Sequence, residues 1–459
     1  MGAIITLSLL AILVLYLGLF KAKKALLPVS LIGMLGAAAF LIAEWNSGSS
    51  PLYQGMILFD NFSIGFSLLC IFITCLIFLL SKNYFEKISG NVAEYYTLLL
   101  FSLLGGVLVT SFHNLSMLFI GIEIMSVALY ILAGIRKKDF SSNEASLKYF
   151  LMGAFSTGFL LFGIALLYGS TGSFDLAVIK QYVISNPTTV SPLFYTGILF
   201  FIIGMSFKVG AAPFHFWTPD VYDGSPMLIT TFMSTTVKIA AMAAFLRLFS
   251  FSFEPLKEFW GPVMLVVTLV TLFVGNISAL VQSSFKRMLA YSSISHVGYM
   301  LFAIVALGAT SASSVFLYVG AYALASLVAF GSLILVKKAT GSDDYESYNG
   351  LAKTNPRLAL AITIAMLSFA GIPLTAGFVG KLMMFTNVMG EYKIILLILA
   401  VLNAAMGIYY YFRVIVSMYF KTEEREVIEV PVNYQIVFAV ASVLILILGI
   451  YPGFVLGLF

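Results

Sequence analysis

The chain has 459 residues, of which 61% are hydrophobic and only 10% are charged, and its formal net charge is +5. A soluble domain carries about a quarter charged residues, so this composition excludes a soluble globular protein and indicates a chain that faces lipid or packs against other lipid-embedded helices. The small positive charge does not indicate a nucleic-acid-binding surface, and we assign it to loops on the cytoplasmic side of a membrane.

Apolar stretches of about 20 residues, long enough to cross roughly 30 Å of hydrocarbon, recur along the whole chain. We predict about fourteen transmembrane helices, and we interpret the first as a span because it lacks the basic start of a cleaved leader. They begin near residues 3, 25, 60, 95, 114, 146, 193, 225, 258, 288, 311, 357, 392 and 433. No connection between them is long enough for a soluble domain, so the sequence predicts an all-α polytopic membrane protein.

The third predicted span contains Cys70 and Cys75, which are the two cysteines of the chain. Their spacing matches no zinc or iron–sulfur motif, and the sequence contains no glycine-rich nucleotide loop. We interpret both thiols as small apolar packing groups. The sequence therefore predicts no metal, redox centre or nucleotide cofactor on this chain.

The basic residues of the loops predict an orientation, because cytoplasmic loops carry an excess of Lys and Arg. Most of these residues follow odd-numbered spans, including those of the charged segment 421–430. The loops after even-numbered spans hold only Lys180, Arg247, Lys257 and Lys393. We therefore expect the odd-numbered loops in the cytoplasm and both termini on the periplasmic side of a bacterial inner membrane.

Four charged residues lie well inside predicted spans: Glu123, Lys208, Lys238 and Lys381. A charge at the centre of a span costs about 2.5–3.5 kcal/mol, so these side chains must face the bundle interior, form pairs or line water. Arg413 lies about two turns from a cytoplasmic end, where its long side chain can reach the interface. One interpretation is that the buried charges only hold helices together. However, a single Glu cannot neutralise three Lys.

A surplus of buried amines predicts lysines that are neutral part of the time, because a low dielectric disfavours the charged form. Such a lysine can take a proton from one side and release it to the other. We predict that Lys208 carries protons and that Glu123 modulates it. Three hydroxyl groups share a helical face with Lys238, where they either line a water path or bond to backbone carbonyls. They belong to Thr231, Ser234 and Thr235.

Two predicted spans are interrupted beside buried lysines. Proline removes a backbone hydrogen bond, and in a bilayer such a break is tolerated only inside protein or beside a cavity. The seventh span has Gly210 and Pro213 after its lysine, and the twelfth has Gly371, Pro373 and Gly377 before its lysine. We therefore expect both breaks to lie at the transport site.

The seventh and twelfth spans cross the membrane in opposite senses, which is typical of an inverted repeat. We predict a first repeat over residues 93–250 and a second over 251–420. Peripheral helices would occupy 1–92, and a cytoplasmic loop with the last helix would occupy 421–459.

The tenth predicted span carries His296, whose side chain type titrates near physiological pH. Lys286 and Arg287 begin that span and either anchor it in the cytoplasm or belong to a proton path. We include His296 and Lys286 as further candidates for proton transfer. His113 and His215 are interpreted as surface or interface residues.

Three segments, 208–226, 275–299 and 370–381, resemble the antiporter-like membrane subunits of bacterial respiratory complex I, an NADH:quinone oxidoreductase. They read KVGAAPFHFWTPDVYDGSP, GNISALVQSSFKRMLAYSSISHVGY and AGIPLTAGFVGK. Segment 144–172 is similar to the subunit N branch in particular, which is related to subunit two of mitochondria and plastids. The similarity covers nearly all of the predicted spans.

The resemblance implies fourteen helices, an inverted repeat of two five-helix bundles, and broken seventh and twelfth helices. It implies proton translocation through Glu123, Lys208, Lys238 and Lys381. It also implies that quinone, FMN and iron–sulfur clusters are bound by partner chains, and that neighbours similar to subunits M and K adjoin this chain in the bilayer.

Two features distinguish the chain from sister subunits in this family. Subunit M has a glutamate where this chain has Lys381, and subunit L continues into a long lateral helix where this sequence ends at Phe459. The segment GIPLTAGF lacks a second proline that many relatives carry, which leaves the shape of the break open but not the role of Lys381.

Three alternatives remain. A subunit of a multi-subunit cation/proton antiporter would share the same spans and lysines. A structural, non-pumping membrane subunit would tolerate Lys208→Met in turnover and suffer only in assembly. A small-solute porter would need varied hydrogen-bonding groups at the breaks, and the scarcity of Asn and Gln around Lys208 and Lys381 disfavours it.

Overall fold

The computed structural model describes residues 1–47, 51–82, 84–85, 88, 92–186, 189–389, 394–423 and 426–458. These residues fold almost entirely into α-helices, and among them β-structure is limited to isolated bridges. Three basic residues that contributed to the predicted orientation lie outside the described residues: Lys87, Lys393 and Arg425. The start of the thirteenth predicted span, near residue 392, also lies outside them.

The chain forms twenty α-helices in the described ranges. The first half contains α1 (Gly2–Leu19), α2 (Lys23–Ala43), α3 (Asn61–Ser81), α4 (Val92–Ser111), α5 (Leu115–Ala133), α6 (Phe140–Thr171), α7 (Leu176–Ser185), α8 (Pro192–Val209), α9 (Trp217–Gly224), α10 (Met227–Ser234) and α11 (Thr236–Phe251). The second half contains α12 (Lys257–Leu280), α13 (Phe285–Ala306), α14 (Ser311–Thr340), α15 (Leu351–Thr354), α16 (Pro356–Ala370), α17 (Ala376–Met389), α18 (Ile394–Phe420), α19 (Val432–Ile450) and α20 (Gly453–Leu456).

The described helices confirm the predicted all-α membrane fold. Thirteen candidate spans are long and apolar enough to cross a bilayer, with α10 and α11 counted together as Met227–Phe251. The twelfth predicted span is the one divided into α16 and α17, each too short to cross alone. The seventh is α8 continued by the short helix α9.

Both predicted breaks begin at a glycine in the left-handed region. α8 ends at Gly210 with φ +78°, and α16 ends at Gly371 with φ +79°. The amide of each glycine bonds back to carbonyls of the last turn, as in the common glycine caps of helix C-termini. A side chain at these positions would be strained because L-residues rarely adopt positive φ. The glycines therefore end the two helices inside the protein.

A third discontinuity, which the sequence analysis did not predict, divides the eighth span. Thr235 has φ −111° and ψ −82° and separates α10 from α11. It lies three residues before Lys238. Each of the three buried lysines predicted to carry protons is therefore next to an interruption of its span.

Helices α10, α11, α13 and α14 form the buried centre, whereas α1, α2, α18 and α19 expose most of their surface to the surroundings. Glycines allow the closest helix pairs to form. A Cβ atom added to Gly275 on α12 would lie 2.5 Å from the backbone nitrogen of Ser295 on α13, so any side chain there forces these helices apart.

We expect Gly275→Ala to destabilise the protein by about 1–3 kcal/mol, because overpacking a close helix pair forces a backbone shift. The measurement is thermal unfolding of the purified complex, together with the yield of assembled complex on a native gel. Gly158→Ala on α6 is the matched control, because no atom lies within 4 Å of its added Cβ. Equal unfolding temperatures for the two variants would contradict this account of the α12–α13 contact.

Candidate functional site

Lys208 and Glu123 meet at the end of α8, beside the first break. Lys208 lies in the last turn of α8 and is buried, and its Nζ donates a hydrogen bond of 2.9 Å to Oγ of Ser126 on α5. Ser126 is one turn after Glu123, so the two residues share a face of α5. Glu123 is close enough to interact electrostatically with Lys208, and its Oε1 is buried without a hydrogen-bond partner. The structure thus brings the predicted carrier to the face of α5 that carries its predicted modulator.

Lys238 is buried at the start of α11. Its Nζ donates a hydrogen bond of 2.8 Å to the backbone oxygen of Ser293 on α13 and lies 5.5 Å from the ring centroid of Tyr322 on α14. The three hydroxyl groups on the preceding turns, of Thr231, Ser234 and Thr235, all donate to backbone carbonyls. Their hydroxyl protons therefore satisfy the backbone, which was the second of the two predicted roles.

Lys381 on α17 reaches back across the second break. Its Nζ donates hydrogen bonds of 2.7 Å and 3.1 Å to the backbone oxygens of Phe369 and Ala370, the last residues of α16. The end of a helix leaves its last carbonyls without intrahelical partners, and a cation is stabilised there by the helix dipole. Nζ also lies 4.9 Å from the ring centroid of Tyr299. The break thus leaves free the two backbone carbonyls that bind this amine.

His296 on α13 has a hydrogen-bond partner at each ring nitrogen. Its Nδ1 lies 2.7 Å from the hydroxyl of Tyr318 on α14, and its Nε2 lies 3.0 Å from the hydroxyl of Tyr411 on α18. A neutral imidazole donates from one nitrogen and accepts at the other. The side chain is buried, so both of its polar atoms are satisfied within the protein.

His296 also lies between Lys238 and Lys381. Ser293, which accepts the hydrogen bond from Lys238, is one turn before it on the same helix. The ring of Phe369, whose backbone oxygen accepts from Lys381, is 5.1 Å from the imidazole centroid to centroid. The structure therefore brings these three predicted residues together in the second half of the chain.

The sequence analysis missed Tyr318, Tyr411 and Tyr322 as partners of these groups. Each tyrosine lies in an apolar stretch, where an aromatic residue is normally a packing group. Only the tertiary contacts show that their hydroxyls or ring faces meet a titratable side chain. The sequence contained no signal that could have singled them out.

Lys286 is buried at the start of α13, at the end of the bundle predicted to be cytoplasmic. Its Nζ donates to the backbone oxygen of Asp223, in the last turn of α9, and at 3.1 Å to that of Ser225, which follows α9. The residue also lines a cavity of about 1190 Å³. Of the six residues predicted to transfer protons, Lys286 is the one that lines this cavity.

A chain of ion pairs that the sequence analysis did not find connects α6, α9 and α13. Lys148 lies 2.8 Å from Asp220, Asp220 lies 3.8 Å from Arg287, and Arg287 lies 3.1 Å from Asp223. The sequence analysis counted Lys148 among the basic residues of the cytoplasmic loops, and it considered Arg287 either as an anchor of its span or as part of a proton path. All four side chains are partly exposed, so each pair adds little stability. The chain links α9, which continues the broken seventh span, to α6 on one side and α13 on the other.

The other singled-out residues lie apart from these groups. Arg413 donates to the backbone oxygen of Gln282 at 3.1 Å and lies 4.1 Å from the ring centroid of Tyr345. His215 lies in the first break, with a buried Nδ1 that has no hydrogen-bond partner. Within the described ranges, no group of three or more His, Cys, Asp or Glu side chains could hold a metal ion.

Residues 112–407 match the family model described as NADH:quinone oxidoreductase/Mrp antiporter, TM. Among curated proteins, the chain is 41% identical over 460 residues to the NADH-quinone oxidoreductase subunit N of Cytophaga hutchinsonii, with 99% of each chain covered. It is also 41% identical over 459 residues to the subunit N of Flavobacterium psychrophilum, with 100% of each covered.

Three solved structures with the same fold belong to different membrane complexes. A chain of the respiratory complex I from Thermus thermophilus is 32% identical, with a TM-score of 0.84 and coverage of 99% of this chain and 98% of that one. A chain of the archaeal membrane-bound sulfane sulfur reductase is 26% identical, with a TM-score of 0.88 and coverage of 99% and 95%. A chain of the Mrp complex from Dietzia, at 18% identity and a TM-score of 0.88 with coverage of 100% and 95%, shows the fold alone.

Proposed function

This chain belongs to the NADH:quinone oxidoreductase/Mrp antiporter family and, within it, to the subunit N group, and we propose that it translocates protons along its own buried Lys, Glu and His side chains. It is a proton-translocating membrane subunit of an NADH:quinone oxidoreductase. Its enzymatic class is accordingly that of a translocase. The electron-transfer chemistry, with quinone, FMN and iron–sulfur clusters, takes place on partner chains.

The observation that carries this proposal is the row of buried titratable groups with hydrogen-bonded partners. Lys208 reaches Ser126, Lys238 reaches Ser293, and Lys381 reaches the end of α16. Three buried lysines that only held helices together would stay charged, and buried charges without a counter-charge cost free energy in a membrane. Groups that gain and lose protons meet this cost only while they are charged.

His296 is suited to pass a proton between its two lysine neighbours. If a proton reaches one ring nitrogen through a tyrosine hydroxyl, the opposite nitrogen can release its own proton to the other tyrosine. The imidazole then returns to its starting tautomer by ring reorientation or by the reverse exchange. Tyr318 and Tyr411 are placed on opposite nitrogens, which supports this role for His296.

We assign Glu123 to the control of Lys208. Its carboxylate lies on the same face of α5 as Ser126, the hydrogen-bond partner of Lys208, and a carboxylate near this amine stabilises the charged form of the lysine. We assign Lys286 to the cytoplasmic entry, because it lines the cavity at that end. The repeats over 93–250 and 251–420 are supported by the matching breaks at Gly210 and Gly371. In the assembled enzyme the chain adjoins antiporter-like neighbours similar to subunits M and K, in a bacterial inner membrane with both termini in the periplasm.

The proposal is tested by Lys238→Met, measured as proton pumping and NADH:quinone turnover in inverted membrane vesicles. We expect both rates to fall by the same factor, about threefold or more, because a broken row of sites blocks the coupled steps. A native gel and the artificial electron-acceptor activity of the partner chains establish assembly. Normal pumping and turnover in an assembled variant would instead favour the structural alternative for this lysine.

A further inference from the structure

The cavity beside Lys286 has a strongly basic lining. It lies between α3, α4, α5, α14 and α19, at the end of the bundle predicted to be cytoplasmic, and its volume is about 1190 Å³. Ligand pockets generally measure about 300–1,000 Å³, so this space is large enough for more than a single ion. Its basic side chains are Arg136, Lys137, Lys138, Lys286, Lys337 and Lys338, and its acidic ones are Glu94, Asp139 and Glu429.

Several of these charges are already compensated within the protein. Arg136 lies 3.7 Å from Asp139, and Lys337 lies 2.6 Å from Asp343. Three others, Lys137, Lys138 and Lys338, form no ion pair with any described residue and are exposed. Cations gathered around one cavity repel each other unless an anion is bound. The lining is therefore electrostatically suited to a phosphate group.

Another part of the lining of the same cavity is apolar. Leu80 and Leu98 come from α3 and α4, Ile131 from α5, and Ile334 from α14. The side chain of Ile131 remains 54% exposed, so part of this wall is open to the surroundings of the helices. A soluble anion would gain nothing from such a surface, whereas an acyl chain would bury it.

We propose that this cavity binds the headgroup of an anionic phospholipid from the cytoplasmic leaflet. The phosphate lies among Lys137, Lys138 and Lys338, and the upper part of an acyl chain packs against Ile131 and Ile334. Basic pockets between transmembrane helices on the cytoplasmic side attract anionic lipids by the same electrostatic term that draws polybasic segments to membranes. Lys286, the proposed proton entry, also lines this cavity, so the test changes only Lys137, Lys138 and Lys338 and measures lipid labelling rather than pumping.

The experiment uses the purified, delipidated complex reconstituted in phosphatidylcholine vesicles that contain a trace of photoactivatable phosphatidylglycerol. After illumination, labelled peptides of this chain are mapped by mass spectrometry. We expect labels in segments 131–139 and 429–434, with displacement by unlabelled phosphatidylglycerol but not by added phosphatidylcholine. The triple variant Lys137→Gln/Lys138→Gln/Lys338→Gln is expected to lose affinity for the probe by roughly 100-fold, about fivefold for each lysine.

A matched control removes three exposed lysines from the connection between α1 and α2 and from the first turn of α2, on the side also predicted to be cytoplasmic, and should leave the labelling unchanged. It replaces Lys21, Lys23 and Lys24 by Gln. Equal labelling of the two triple variants would overturn the proposal. If millimolar inorganic phosphate displaced the probe as effectively as phosphatidylglycerol does, the proposal of a lipid ligand would be overturned, and the cavity would be assigned to a soluble anion.

Discussion

Lys208→Met is expected to lower proton pumping and NADH:quinone turnover together, by about tenfold or more, in an enzyme that still assembles. Loss of a positioned proton donor or acceptor commonly costs about 10²–10⁴ in the rate of the step that uses it, and coupling transmits that loss to electron transfer. Met has nearly the same length and fills the space of the Lys side chain without a charge. The measurement is pumping against NADH oxidation in inverted membrane vesicles.

Three further variants make this test specific for proton transfer. Lys208→Arg keeps the charge and a donor to Ser126 but does not release its proton at accessible pH, so it should also fail to pump. Lys24→Met, an exposed lysine, is the control for a generic loss of charge. If Glu123 acts through Lys208, then Glu123→Gln should impair pumping alone but add nothing in the double variant. Full pumping by assembled Lys208→Met would refute the role of this lysine.

Lys381→Arg is expected to assemble normally and yet to lose most of its proton pumping. The guanidinium can still donate to the carbonyls of Phe369 and Ala370, so the end of α16 stays satisfied. It remains protonated throughout the cycle, so a site that must release a proton is blocked. We expect the pumping rate to fall by about tenfold or more, measured in the same vesicles.

Lys381→Met serves as the comparison, because it removes both the cap of α16 and the titratable group. Its assembly should be weaker than that of Lys381→Arg on a native gel, since buried carbonyls lose their partner at a cost of about 1–3 kcal/mol. If the Arg variant pumped normally and only the Met variant failed, Lys381 would be a structural cap, and the proton path would have to end elsewhere.

The sequence was sufficient to predict the spans and both glycine–proline breaks. The hydrocarbon thickness sets a span length that composition alone reveals. A lysine in such a span is so costly that its presence predicts an interior position, as Lys208, Lys238 and Lys381 all show. The interruption at Thr235 was not predictable in the same way, because threonine is compatible with a helix and only its tertiary setting divides α10 from α11.

Partner assignments could not be predicted, because they depend on which helices meet. The sequence left open whether the hydroxyls beside Lys238 serve a water path, and it named no partner for the amine, whose ammonium donates to the backbone of Ser293, a residue 55 positions away. The tyrosines on His296 come from two different helices. Asp220 was not singled out by the sequence, because its ion pairs depend on α6 and α13 lying on either side of it. Each of these contacts is a property of the tertiary structure rather than of a local pattern.

The chain of ion pairs from Lys148 to Asp223 has a consequence for how the two halves of the protein sense each other. Its members are partly exposed to water, where the Debye length is about 10 Å at 0.1 M salt. Beyond that distance mobile ions cancel the field of any one charge. Lys148 on α6 and Arg287 on α13 both contact Asp220 and so lie within this distance of each other, which means that a change of charge on one is felt by the other. The electrostatic coupling between α6 and α13 along this edge of the protein therefore weakens as the salt concentration rises.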